Sequence, residues 1–239
     1  MSNLKQIGIG MMMYTQDYDE KFPMYMHRDN EAAALVGAQN PPMTPAGKYE
    51  MSDCCVDDHY LSWMDEIYPY IKSLAVFDCP SRDFPFDDPY DSNNPHDYPS
   101  YAMNGIIGGN WDFSGSPPYY VHAASLASIN GASQKILLLH NAYWPYAYLN
   151  PADFIGLSNQ FLFPADAKQA KISFGMFPHL GGSNLLFADG HVKFTSAKQR
   201  DHWTCQDQSP APNLAAFSNT VSDASQACGY WSPLVPPPS

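Results

Sequence analysis

The chain has 239 residues and a mass of 26.6 kDa, long enough to bury a core of its own, and it carries a net charge of −12. Its 12 Lys and Arg form no basic cluster, which excludes a nucleic-acid binder, because such a surface needs a cationic stripe to displace counterions. Only 15% of residues are charged, against about 25% in an ordinary soluble domain, which excludes a coiled coil or helical repeat built from Glu and Lys. Among the 24 acids only Glu20, Glu31, Glu50 and Glu66 are Glu, so the acidity sits on Asp, the residue of turns and caps. Apolar residues make up 45% of the chain, enough to drive burial, so disorder throughout is excluded. No run of 18 apolar residues occurs, and Lys5, Gln6, Gly8 and Gly10 interrupt Leu4 to Met13, so neither a bilayer span nor a signal peptide is read there.

In chain order, the spacing of Leu4, Ile7, Met11, Tyr14 and Tyr18 predicts a helix from Ser2 to Tyr18 with one apolar face. Gly8 and Gly10 weaken it intrinsically, so packing must hold it. Asp17 to Pro23 ends it, since Pro23 cannot continue a helix. Residues 27–58 read as a long insertion broken by Pro41, Pro42, Pro45 and Gly47. A second helix is expected from Tyr60 to Ser73, with Leu61, Met64, Ile67 or Tyr68, and Ile71 on one face and Pro69 kinking or ending it. Asp83 to Ser100 is a Pro-rich loop.

Strand signals dominate the second half of the chain. Lys135 to His140 is a short aliphatic run after an Asn130-Gly131 turn, and Ile172 to Phe177 alternates loosely. Asn184 to Ala188, then Asp189-Gly190, then His191 to Phe194 predicts a tight hairpin with a type I′ turn, which needs positive φ at both turn residues. Helices first and strands later, without βα alternation, imply an α+β fold with an antiparallel sheet. Residues 1–200 form the expected globular domain, and 201–239 a loop-rich extension.

Several groups are candidates for chemistry. His179, Asp189 and His191 read first as loop, turn and strand residues, with a metal triad or a metal-dependent hydrolase as the alternative. Asp53, Asp57 and Asp58 form one acidic cluster, and Asp87, Asp88 and Asp91 near Asn93, Asn94 and Asp97 form a second. Such loops can offer calcium the six to eight oxygens it takes, although neither has EF-hand spacing, and the second cluster is the better calcium candidate. Trp111, Tyr119, Tyr120, Tyr143, Trp144, Tyr146 and Tyr148 are either core or a glycan-stacking platform of a secreted binding module. No G-x-S-x-G elbow and no phosphate loop are present, so nothing requires an enzyme. The cysteines Cys54, Cys55, Cys79, Cys205 and Cys228 are odd in number and form no C-x-x-C pair. Cys205 and Cys228 flank a loop that would gain from a cross-link, and an oxidising compartment is expected.

Four blocks in order resemble the prepilin-like H-x9-DG family, related to type II secretion pseudopilins and type IV pilins. They are Ser2-Asn3-Leu4-Lys5-Gln6-Ile7-Gly8 with Met13 to Glu20, Trp63 with Ile67 to Lys72 and Val76 to Ser81, Ser100 to Asn104, and His179 nine residues before Asp189-Gly190-His191. The resemblance implies a pilin-like fold in which an N-terminal helix packs on an antiparallel sheet, with residues 1–20 as the end of the pilin helix. It implies a structural subunit of a pseudopilus or pilus-like filament, extracytoplasmic and anchored by an apolar helix that this sequence lacks. Its partners would be other pilin-like subunits and a prepilin peptidase acting on the precursor. His179, Asp189 and Gly190 would be a structural device at the hairpin, and calcium would sit in the Asp87 to Asp97 loop by analogy with major pseudopilins. The resemblance further implies a cysteine ahead of the Ser2 block that bridges to Cys79; alternatively Cys79 pairs with Cys54 or Cys55.

Overall fold

The computed structural model describes residues 2–24, 26–27, 61–81, 100–104, 107–108, 111–112, 119–120, 123–140, 148–149 and 178–196. Apart from His27, the expected insertion at 27–58 and the extension at 201–239 lie outside them.

Helix α1 runs over Ser2–Asp17 and buries Leu4, Ile7, Met11 and Tyr14, the face that the spacing predicts. Each such side chain, once fully buried, contributes about 1.5–3 kcal/mol relative to exposure. Tyr18, expected on the same face, is half exposed and instead stacks on Tyr14 with ring centroids 4.2 Å apart. The helix stops because Asp19 and Glu20 adopt left-handed φ values of 51° and 61°, with the Glu20 N–H donating to Thr15 O. Its exit is then tied to the segment after it: Phe22 N–H donates to Ala124 O, and Leu126 N–H to Glu20 O.

The second helix starts later than the spacing suggests. Leu61–Ser62 form the short strand β2, paired antiparallel with β1 (Met26–His27), and helix α2 spans Trp63–Ile71. The start is set by Asp65, whose Oδ2 accepts from Ser62 N–H at 2.7 Å and Ser62 Oγ at 3.0 Å. Pro69 is accommodated inside the last turn, and Lys72, left-handed at φ 55°, closes the helix by donating to Tyr68 O. Burial pushes the Asp65 carboxyl up to about 6, because its Oδ1 lies in the core without a hydrogen-bond partner among the described residues. The two helices also share a polar seam, where Tyr14 OH donates to Glu66 Oε1 at 2.6 Å and Tyr70 OH to Asp17 Oδ2 at 2.8 Å.

The sheet contains β3 (Tyr101–Asn104), β6 (Ile136–His140), β7 (Tyr148–Leu149), β8 (Gly182–Phe187) and β9 (Val192–Ser196), in the order β7-β3-β6-β8-β9. Four of these strands are antiparallel neighbours, which establishes the α+β class, while β7 runs parallel to β3 and departs from an all-antiparallel sheet. A separate pair joins β4 (Trp111–Asp112) to β5 (Tyr119–Tyr120). Strands β3, β6 and β8 are buried along their whole length, as expected of the sheet centre, and β9 at the edge exposes much of itself. Leu138, Leu186 and Ala188 join Leu4, Ile7, Met11, Ile67 and Trp63 in one core between helices and sheet. No helix among the described residues is long and apolar enough to cross a membrane.

Candidate functional site

The Asp189-Gly190 hairpin forms where the sequence places it, but by a different turn. Of its turn residues only Gly190 has positive φ, at 88°, and Gly190 N–H donates to Phe187 O while Phe187 N–H donates to His191 O. That is a three-residue loop closed by a left-handed glycine, rather than the expected type I′ turn with two positive-φ positions. Asp189 keeps a negative φ, and its Oδ1 accepts from His191 N–H at 3.1 Å and also bonds the His191 ring nitrogen Nδ1. Both of these side chains are exposed.

The turn seats α1. A methyl group placed on Gly8 would lie 2.8 Å from Gly190 O and 2.9 Å from a Leu186 methyl, so helix and turn touch backbone to backbone. On the other side, a methyl group on Gly190 would press within 3.0 Å of Met12 Cγ. The two glycines that weaken the helix intrinsically therefore have a reason: Gly8 admits the turn, and Gly10 admits Ile71 of α2.

His179 does not join Asp189 and His191. It occupies a tight turn in which His179 and Gly182 exchange N–H···O bonds of 3.2 and 3.0 Å, with Leu180 and Gly181 both left-handed between them. This turn lies at the other end of β8 from the hairpin and brings the imidazole Nε2 within 3.7 Å of Cys79 Sγ. The His179 ring meets that of His140 edge to face at 5.0 Å. The ligand atoms of Cys79, His140 and His179 lie within 4.8 Å of one another, a donor set that can hold a metal ion. Asp189 and His191 sit in and beside the turn, as first expected, and the alternative triad with His179 does not form, because the hairpin turn consumes both side chains locally.

Each member of the new cluster is positioned by the fold. Register pairs Tyr101 with His140, so their rings sit on one face with centroids 5.0 Å apart. His140 Nδ1 bonds Ser183 Oγ at 2.9 Å across to β8, which turns Nε2 toward the cluster. Cys79 follows a short helical turn over Leu74–Phe77, and its N–H donates to Ser100 Oγ at 2.8 Å. Burial, together with the neighbouring Cys79 sulfur, raises the Tyr101 phenol far above its ordinary range. Burial lowers the His179 imidazole, which favours the neutral ring that metals require.

Cys79, expected as a disulfide candidate, is buried, faces two imidazoles and forms no disulfide among the described residues. Cys54, Cys55, Cys205 and Cys228 lie outside the described residues, as do Asp87, Asp88 and Asp91 of the expected calcium loop. The assembled cluster does not suit calcium, which takes oxygen ligands, whereas a thiolate with two imidazoles suits softer ions. The side chains of the aromatic run from Trp111 to Tyr148 also lie outside the described residues. Sequence reasoning had Cys79 and His179 in view but missed His140, Tyr101 and Ser183. A histidine ending an otherwise aliphatic buried strand was the available signal. No family model, no curated protein and no solved structure matches this chain.

Proposed function

We propose that this chain is the outward-facing head of a structural, non-catalytic subunit of a pseudopilus- or type IV pilus-like filament. The observation that carries the reading is the two-sidedness of α1. One face, with Leu4, Ile7 and Met11, is fully covered by the sheet and α2, while Ile9 (62% exposed) and Met13 (44% exposed) stand one turn apart on the uncovered side. An apolar pair on an exposed helix face favours contact with another helix. A subunit whose helix builds a filament axis needs that division of labour: the sheet grips one side and neighbouring subunits cover the other. The resembling blocks also meet in space, as Asn3 Nδ2 donates to Asp78 O at 2.7 Å and Gly190 sits on Gly8. In this reading the subunit works outside the cytoplasm, beside other pilin-like subunits, and its precursor is a substrate of a prepilin peptidase.

The test is disulfide trapping in cell envelopes of the native host. Ile9→Cys in the natural full-length protein should give a ladder of cross-linked multimers under mild oxidation, and Lys193→Cys on the edge strand should give fewer. A monomer at every position, with no filament labelled by an antibody to the head, overturns the proposal.

A further inference from the structure

We propose that Cys79, His140 and His179 form a zinc site that clamps the segment before β3 to the ends of β6 and β8. The site stands on the geometry of the cluster and is independent of the filament reading.

Zinc is held at about 2.3 Å from sulfur and about 2.0–2.1 Å from imidazole nitrogen, so tetrahedral S···N edges come to about 3.6 Å. The Cys79 Sγ to His179 Nε2 separation of 3.7 Å already has that length. No two ligand atoms of the triad lie more than 4.8 Å apart, so a shift of about 1 Å, well within side-chain motion, brings them to zinc geometry. A thiol–imidazole hydrogen bond alone would explain Cys79 and His179 but not the convergence of His140, whose ring is held from behind by Ser183. The surroundings are those of ligands held in place: Ser183 Oγ on His140 Nδ1 and Ser100 Oγ on the Cys79 N–H. Tyr101 can donate to a zinc-bound thiolate, whose excess charge the ion and this hydrogen bond share.

Binding forms a Zn–S bond as the Cys79 thiol proton leaves to solvent, and two Zn–N bonds to neutral imidazoles; no electrons are transferred. A water molecule completes four-coordination on the side of His179, which is only partly buried and gives the ion its way in, whereas Cys79 and His140 are closed over. The ligands come from three places far apart in sequence, with Cys79 and His179 separated by 100 residues. A bond between such segments stabilises the folded chain because the unfolded chain lacks the preformed site.

The experiment uses the whole reduced chain and two probes, Zn2+ by chelator competition and Co2+ by absorption. One Zn2+ per chain is expected, with a thiolate-to-cobalt charge-transfer band and a rise in Tm of several degrees on adding zinc. Cys79→Ser abolishes the band, while His179→Gln, at a partly exposed turn, weakens zinc binding at least about tenfold and leaves the circular dichroism unchanged. Ser183→Ala keeps the stoichiometry and weakens binding by about 10- to 100-fold. Asp189→Asn leaves zinc affinity unchanged. Absence of the band in the wild type, its persistence in Cys79→Ser, or protection of Cys79 from alkylation by a disulfide in the native protein overturns the proposal.

Discussion

The family-like motif, His179 followed by Asp189-Gly190, is divided between two regions of different physics. At the hairpin, Gly190 meets Gly8 in a close backbone contact that leaves no room for a methyl group on Gly8. At the other end of β8, His179 meets Cys79 and His140 in a polar cluster. The first region is held by apolar packing and a turn closed by its own neighbours, with the exposed Asp189 and His191 side chains bonded to each other. The second brings together residues from separate segments, and their donor atoms lie close enough together to share one ion. A spacing in the sequence is therefore not a site, because β8 carries its two ends to opposite tasks.

This contrast predicts that packing changes cost most near α1 and that chemistry changes are felt only around Cys79. The largest expected effect is Ile7→Ala, which removes a fully buried side chain from the helix–sheet core and should cost about 2–5 kcal/mol by chemical denaturation. A loss below about 1 kcal/mol would mean that α1 does not anchor the fold.

Asp65 is an ionisable group buried among the apolar side chains of the core. Its folded pKa, near 6, lies above the unfolded value of 3.8, so the folded state binds the proton more tightly. Stability should fall as pH rises through this interval and then level off, by at most about 3 kcal/mol for this group. Asp65→Asn should flatten that slope in denaturation curves measured between about pH 4 and pH 7. An unchanged slope would show that the carboxyl is solvated rather than held in the core.

Gly8→Ala tests the close backbone contact most directly, since an exposed helical glycine replaced by alanine gains about 1 kcal/mol. Here the added methyl meets the Gly190 carbonyl, and a net loss of about 1–3 kcal/mol is expected. A gain in Tm would break the comparison. Gly190→Ala should cost about 1–2 kcal/mol, because φ 88° strains any residue with a side chain and Met12 must move. Smallest of all, His179→Gln in metal-free protein should stay within about 1 kcal/mol of wild type, and only added zinc should separate the two melting curves.

Much of the fold was legible because it is local. The 3.6-residue spacing of Leu4, Ile7, Met11 and Tyr14 named the buried face of α1, and the aliphatic run before His140 named a central strand. The Asp-Gly pair named the hairpin, though not its turn type, since the choice depends on whether Asp189 spends its side chain on His191. The start of α2 was misplaced because the Leu61 and Ser62 backbone is drawn into a strand, a long-range pairing that helical spacing cannot see. The parallel strand β7 was missed for the same reason.

The candidate site was legible only in part. Cys79 and His179 stood out as reactive residue types, but nothing in their neighbourhoods linked them to each other or to His140. Taken alone, the sequence determined the first helix and its apolar face, the strand ending at His140 and the position of the tight turn, because these follow from periodicity and from the conformational freedom of one glycine. The tertiary structure decided which residues share a site. Strand register places His140 opposite Tyr101 and beside Ser183, and the left-handed turn at Leu180-Gly181 swings His179 onto Cys79. Contacts between residues 100 positions apart depend on how strands are paired, and pairing is settled only when the whole core is buried at once.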